Sequence, residues 1–151
     1  PNDWSEKFDT VFCLANSLVG VETGERLSLA FKSFQRVLKP GGRLIIQILN
    51  FINFRRNDQR IIKVSTAENK TFVRFFDFEE HNTRLNVLMI EHDMGEVSHK
   101  FNSEKILPIN TEVLTVASRI SRFGKIDFFN NLTLSDPLTL DSRDMVAVVT
   151  K

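Results

Sequence analysis

The stretch FDTVFCL at residues 8–14 and the stretch RLIIQIL at residues 43–49 are both short, apolar and rich in β-branched or aromatic side chains. Such runs are typical of buried strands. Between them, apolar residues recur every three or four positions, which predicts a helix with one apolar face that ends near Leu38. Pro40 then blocks the helix, and Gly41-Gly42 predicts a tight turn before the next strand. A strand, a helix and a strand form one βαβ unit, so we expect parallel strands joined by a right-handed crossover.

The middle of the chain has a different pattern. After a polar stretch at residues 55–60, apolar and polar residues alternate at residues 72–76 and 85–89, and turn-like pieces lie between these segments, including residues 80–82. This alternation predicts an antiparallel meander with one solvent-facing side.

The last third returns to alternating helices and strands. Asn110 or Thr111 is a suitable cap for a helix that runs to about Arg122 and stops at Gly124. Apolar runs at residues 126–132 and 145–150 then predict two further strands. No repeat or long linker divides the 151 residues, so we expect one domain.

Composition gives no support for several classes of function. Twenty basic and 19 acidic residues give a net charge of +1, so nothing in the charge indicates a nucleic-acid or membrane partner. No apolar run is long enough to span a bilayer. Cys13 is the only cysteine, which excludes a disulfide within the chain and favours a cytoplasmic setting.

Taken in order, these parts resemble the carboxy-terminal half of a class I, Rossmann-like S-adenosylmethionine-dependent methyltransferase. Residues 8–18 are similar to the family's fourth strand and the loop behind it, and Leu38-Lys39-Pro40-Gly41-Gly42-Arg43-Leu44 is similar to the turn before its fifth strand. Asn50-Phe51 and the inserted meander place the resemblance nearest the glycine and sarcosine N-methyltransferase branch. The resemblance implies an α/β fold over residues 1–151: strand, helix, strand, antiparallel meander, helix and final hairpin. It also implies that residues 55–106 form a lid over the substrate.

Two parts of the family pattern are absent from this sequence. They are the glycine-rich turn after the first strand and the acidic residue that binds the cofactor ribose. The resemblance therefore implies a partial sheet that lacks its N-terminal cofactor-binding half, with the family's strands 4-5-7-6 remaining. The strand at residues 8–14 would then lie at an exposed edge, which favours a homodimer or pairing with the missing half.

The resemblance also implies a site at the carboxyl ends of the parallel strands. Leu14 and Ala15 would bind the cofactor, S-adenosylmethionine, and Asn16, Ser17 and Asn50 would bind the substrate; the alternative is that these residues form an ordinary strand end and loops. Leu49 stands where the glycine-methylating branch has an arginine for the substrate carboxylate, so a small amino acid is not favoured. Arg55 or Arg56 is the candidate replacement.

No catalytic residue is assigned by the sequence. The histidines His81, His92 and His99 lack metal-ligand spacing, so no metal is expected, although a lid histidine remains a candidate general base. Cys13 is interpreted as a core residue rather than a nucleophile.

The sequence therefore predicts part of a methyltransferase that acts on nitrogen or oxygen of a small molecule, with weak or absent cofactor binding by this chain alone. The alternatives are a non-catalytic, self-associating fragment, the partner subunit of a split methyltransferase, and another doubly wound enzyme.

Overall fold

The computed structural model describes residues 4–79 and 83–151, so the predicted turn at residues 80–82, which contains His81, lies outside the described residues. Eight strands, three helices and a short 3-10 turn at Ser17–Gly20 are present in these ranges. In chain order the strands and helices are β1 (Phe8–Cys13), α1 (Gly24–Val37), β2 (Leu38–Leu49), α2 (Phe51–Arg56), β3 (Ile61–Ala67), β4 (Lys70–Phe78), β5 (Thr83–Asp93), β6 (Glu96–Ile106), α3 (Thr111–Ile120), β7 (Lys125–Phe129) and β8 (Asp144–Thr150).

The first sheet has the strand order β1-β2-β8-β7. Strands β1 and β2 are parallel, with Val11 opposite Leu44, whereas β8 is antiparallel to both β2 and β7. This arrangement confirms the predicted partial Rossmann-like sheet and its final hairpin. Strand β1 lies at the edge of the sheet.

One face of this sheet carries the main hydrophobic core. Leu44, Ile46 and Ile48 alternate along β2 and are buried together with Leu27 and Phe31 of α1. Helix α3 packs beside α1 and adds Leu114 to the same cluster. On the opposite face, by contrast, Phe12 of β1 is 62% exposed. The two helices therefore cover a single side of the sheet.

The Lys39-Pro40-Gly41-Gly42 segment differs from the predicted tight turn. Strand β2 begins at Leu38, directly after α1, and the segment bulges within the strand. Phe8 pairs with Leu38 and Thr10 pairs with Arg43, so β2 advances five residues while β1 advances two. Gly41 has φ +75°, which explains the glycine there.

The second sheet is the predicted meander, with antiparallel order β3-β4-β5-β6. Its inner face supplies Phe76 and Ile106 to the main core. Its outer face is exposed to solvent, as predicted, and it carries the exposed apolar side chains of Val64, Val97 and Phe101. The alternating pattern therefore predicted the antiparallel strands correctly, and apolar side chains lie on both faces of the sheet.

Two helix boundaries also differ from the sequence prediction. Arg55 and Arg56, predicted in a loop, form the last turn of α2. Helix α3 ends at Ile120 rather than near Arg122, and Asn110 caps it by accepting a hydrogen bond from the Val113 N–H at 2.9 Å. Among the described residues, no helix combines the length and apolar character needed to cross a bilayer.

Candidate functional site

A cleft of about 460 Å³ lies where the carboxyl ends of β1 and β2 meet the inner face of the second sheet. Both sheets contribute to it, and its lining mixes apolar and polar groups. The lining residues are Ala15, Asn16, Gln47, Ile48, Leu49, Ile62, Arg74, Leu85 and Asp144. Ligands of open α/β sheets bind at this end of parallel strands, so the cleft is the candidate site.

The loop after β1 is held tightly against the end of β2. Ala15 N–H donates to Gln47 Oε1 at 3.0 Å, and Asn16 N–H donates to the Gln47 carbonyl at 3.1 Å. The Asn16 side-chain oxygen accepts from the Leu49 N–H at 3.0 Å. These bonds span more than 30 residues of sequence and fix the wall of the cleft.

The same loop has a strained backbone. Ala15 has φ 55° and Asn16 has φ 65°. Asparagine tolerates this left-handed conformation, whereas alanine has a Cβ that makes it cost about 1–2 kcal/mol. Glycine, which has no Cβ, would adopt this conformation without that cost.

The two predicted cofactor-binding residues differ in whether their backbone carbonyls already accept hydrogen bonds. The Leu14 carbonyl accepts from Ser17 Oγ at 2.6 Å and from the Ser17 N–H at 3.2 Å, so both of its lone pairs are engaged. Within residues 4–79 and 83–151, no donor bonds the Ala15 carbonyl. Ala15 therefore lines the cleft with a carbonyl that no described donor engages, and Ser17 holds the loop.

Asn50 does not line the cleft with Asn16. It is buried, and its amide nitrogen donates to the Thr139 carbonyl at 3.3 Å and to the Ser142 carbonyl at 2.9 Å. The Asn50 N–H also donates to the Arg143 carbonyl at 2.9 Å. The side chain therefore fixes the loop that leads into β8.

The two candidate arginines of α2 also lie away from the cleft lining. Arg56 forms an ion pair with Asp141 in the loop before β8, and Arg55 is exposed. Leu49, by contrast, does line the cleft, as its position at the end of β2 indicated.

Three polar residues of the cleft were not identified from the sequence. Gln47 donates from Nε2 to Asp144 Oδ1 at 3.4 Å and so connects the loop after β1 with the start of β8. Arg74 enters from β4. Two features of the sequence could have indicated Gln47 and Asp144. Gln47 is a lone glutamine in an otherwise apolar strand, and Asp144 is an acidic residue directly before the apolar run of β8.

Other titratable residues lie outside the cleft lining. His92 is exposed near the end of β5, and His99 is exposed on β6. Burial raises the pKa of the Cys13 thiol, so this half-buried side chain is held in its protonated, weakly nucleophilic form. In the described part of the chain, no three His, Cys, Asp or Glu side chains are grouped to hold a metal ion.

Neither protein-family profiles nor curated protein sequences gave a match to this chain. Solved structures, however, share its fold. A S-adenosylmethionine-dependent methyltransferase from Clostridium acetobutylicum superposes with a TM-score of 0.75 at 14% identity, over 96% of this chain and 58% of that one. The CcbJ methyltransferase from Streptomyces caelestis gives 0.73 at 12% identity, over 95% of this chain and 57% of that one.

A third match is the sugar N-methyltransferase KedS8 from Streptoalloteichus, with a TM-score of 0.68 at 19% identity, over 100% of this chain and 59% of that one. The chain thus has the fold of class I S-adenosylmethionine-dependent methyltransferases, and it spans less than three fifths of the length of these structures.

Proposed function

We propose that this chain is part of a S-adenosylmethionine-dependent methyltransferase that methylates nitrogen or oxygen of a small molecule. The observation that supports the proposal most strongly is the cleft itself. It lies at the carboxyl ends of two parallel strands, it is covered by an inserted antiparallel sheet, and it contains polar groups from both sides. The inserted sheet, within residues 55–106, serves as a lid that limits access of water to the reacting atoms.

The residues present fit one part of the cofactor. S-adenosylmethionine supplies an electrophilic methyl group when it is bound. The unengaged Ala15 carbonyl is an acceptor suited to the amino group of the cofactor's methionine part, as the resemblance implied. Gln47 keeps that carbonyl in place through its bond to the Ala15 N–H.

The other polar groups of the cleft suit a small, hydrogen-bonding methyl acceptor. The Asp144 carboxylate accepts from an amine or hydroxyl, and its contact with Gln47 restricts its position. Methyl transfer mainly requires alignment of the acceptor with the methyl carbon, so positioned polar groups are sufficient protein chemistry. An amino or hydroxyl group on a sugar-like molecule fits this lining, and KedS8 is one neighbour that is a sugar N-methyltransferase.

A narrower form of the proposal assigns this chain to the glycine and sarcosine N-methyltransferase branch. The lid inserted after β2 supports it. Leu49 in the cleft lining favours an acceptor other than a small amino acid, because leucine cannot bind a carboxylate through two hydrogen bonds.

We further propose that additional polypeptide, in the same chain or a separate one, completes the sheet at β1. The exposed Phe12 and the free edge of β1 favour such pairing. The added strands would carry the glycine-rich turn that holds the rest of the cofactor. A cytoplasmic setting, expected from the single cysteine, is part of this proposal.

Calorimetry with S-adenosylhomocysteine tests the proposal. This chain supplies only part of the pocket, so we expect saturable but weak binding, with a dissociation constant above about 100 μM. Nanomolar affinity would contradict the partial pocket, and the absence of heat at several millimolar ligand would contradict cofactor binding in the cleft.

The β1 edge also supports a second candidate function, a non-catalytic chain that self-associates or serves as the partner subunit of a split methyltransferase. Light scattering, which measures the molar mass in solution, tests whether the chain self-associates. If β1 edges pair, the mass should be twice that of the 17.4 kDa chain, whereas a stable monomer at high concentration contradicts self-association.

A further inference from the structure

Two basic residues on the lid face each other without an acidic partner. Lys63 of β3 and Arg74 of β4 are directly opposite in the antiparallel register. Both side chains are exposed, and neither forms an ion pair with any residue that the structure describes. Like charges directly opposite each other destabilise a sheet. The like-charged pair therefore lowers the stability of the lid.

The backbone around this pair is also irregular. Ile61 pairs with Phe75 and Lys63 pairs with Arg74, so Ile62 is an extra residue in β3. Such bulges redirect side chains, and they occur often next to active sites. Ile62 and Arg74 both line the cleft, and the Ile62 carbonyl accepts from Arg143 Nη2 at 3.0 Å. The bulge is thus anchored beside the cleft.

The cleft separates opposite charges instead of pairing them. Arg74 enters from the lid and Asp144 from the first sheet, and no ion pair joins the two. Asp144 has a neutral partner in Gln47. A ligand in the cleft can therefore present an anionic group to the lid and an amine or hydroxyl to Asp144.

We infer that Lys63 and Arg74 form an oxyanion subsite, which binds a phosphate or carboxylate group carried by the methyl acceptor. This inference rests on the proposed function, since it assigns the anion to the acceptor of the same cleft. The guanidinium of Arg74 presents paired N–H donors that match two oxyanion oxygens, and the Lys63 ammonium adds a second charge. An anion between them also removes the repulsion that the free chain carries.

Nuclear magnetic resonance titration of the full 151-residue chain tests this subsite, with inorganic phosphate and acetate as separate probes. We expect saturable shifts of the Arg74 side-chain Nε–H and the backbone amides of residues 62–64, with dissociation constants of about 1–10 mM for such small ions. Tighter binding of phosphate assigns a phosphorylated acceptor, and tighter binding of acetate assigns a carboxylate.

The double variant Lys63→Gln/Arg74→Gln should raise the dissociation constant at least about tenfold. Arg74→Lys, which keeps the charge but loses the paired donors, should have an intermediate effect. The control is Arg119→Gln, which removes an exposed arginine of α3 that has no ion pair in the described residues, and it should leave binding unchanged.

A stability measurement separates ligand binding from a structural role. Because the double variant removes a like-charge contact, its urea midpoint should stay equal or rise. A lower midpoint, an equal loss of binding in Arg119→Gln, or no saturable shift up to about 100 mM probe would overturn the inference. Since the calorimetry with S-adenosylhomocysteine uses neither probe, anion binding without cofactor binding would contradict the proposed function and leave the anion site standing.

Discussion

Replacing Phe76 with alanine is expected to lower the free energy of unfolding by about 3–5 kcal/mol. The side chain is fully buried where the second sheet meets the core of the first sheet. Its ring centroid lies 4.9 Å from that of Phe51, 5.5 Å from that of Phe54 and 5.6 Å from that of Phe78. The substitution removes this aromatic cluster's central ring and leaves a cavity between α2 and β4. Urea unfolding followed by circular dichroism measures the loss.

The matched control is Phe101→Ala on the outer face of the same sheet. Phe101 is 58% exposed, although its ring stacks on Phe75 at 6.3 Å between centroids. We expect a loss below about 1 kcal/mol, because little apolar surface is buried there. Equal losses in the two variants would show that the second sheet does not pack on the core through Phe76.

Replacing Gly42 with alanine is expected to cost about 1–3 kcal/mol. An added Cβ would lie 2.9 Å from the Lys39 carbonyl oxygen and 3.1 Å from the Asp9 carbonyl oxygen, which are both backbone atoms. Backbone atoms cannot move aside as a flexible side chain does, so the bulge and the β1 pairing would have to shift. The same unfolding assay measures the effect.

Gly24→Ala provides the comparison for this variant. Gly24 is the first residue of α1, and an added Cβ there meets no atom within 4 Å. Alanine restricts the unfolded chain, so the expected result is a neutral change or a gain of up to about 1 kcal/mol. A Gly42 variant as stable as this one would contradict the close approach of the two strands.

The elements that sequence reasoning located correctly are those with strong local periodicity. The strand at residues 8–14, the helix before Leu38, the strand at residues 43–49 and the closing strands all follow from apolar spacing. Their parallel or antiparallel pairing follows from the connections between them. The Lys39–Gly42 segment was misjudged because a bulge and a tight turn use the same residue types, and only the pairing of β2 with Phe8 and Thr10 distinguishes them.

The candidate site was recovered only in part, since side-chain partners depend on distant segments. Asn16 lines the cleft, and its side-chain oxygen is already bonded to the Leu49 N–H, which is a structural contact. Asn50 binds carbonyls 89 and 92 residues later in the sequence, which no local pattern indicates. Arg74 reaches the cleft only because the second sheet packs its inner face on the first sheet.

Amide shifts of the isotope-labelled chain during titration with S-adenosylhomocysteine report where on the chain the cofactor product binds. We expect weak, saturable shifts confined to residues 14–16 and 47–49, where the loop after β1 meets the end of β2, and no shifts on the outer face of the second sheet around Val97 and Phe101. Shifts confined to α1 and α3, or none at saturating ligand, would contradict a cofactor cleft at the tips of the two parallel strands.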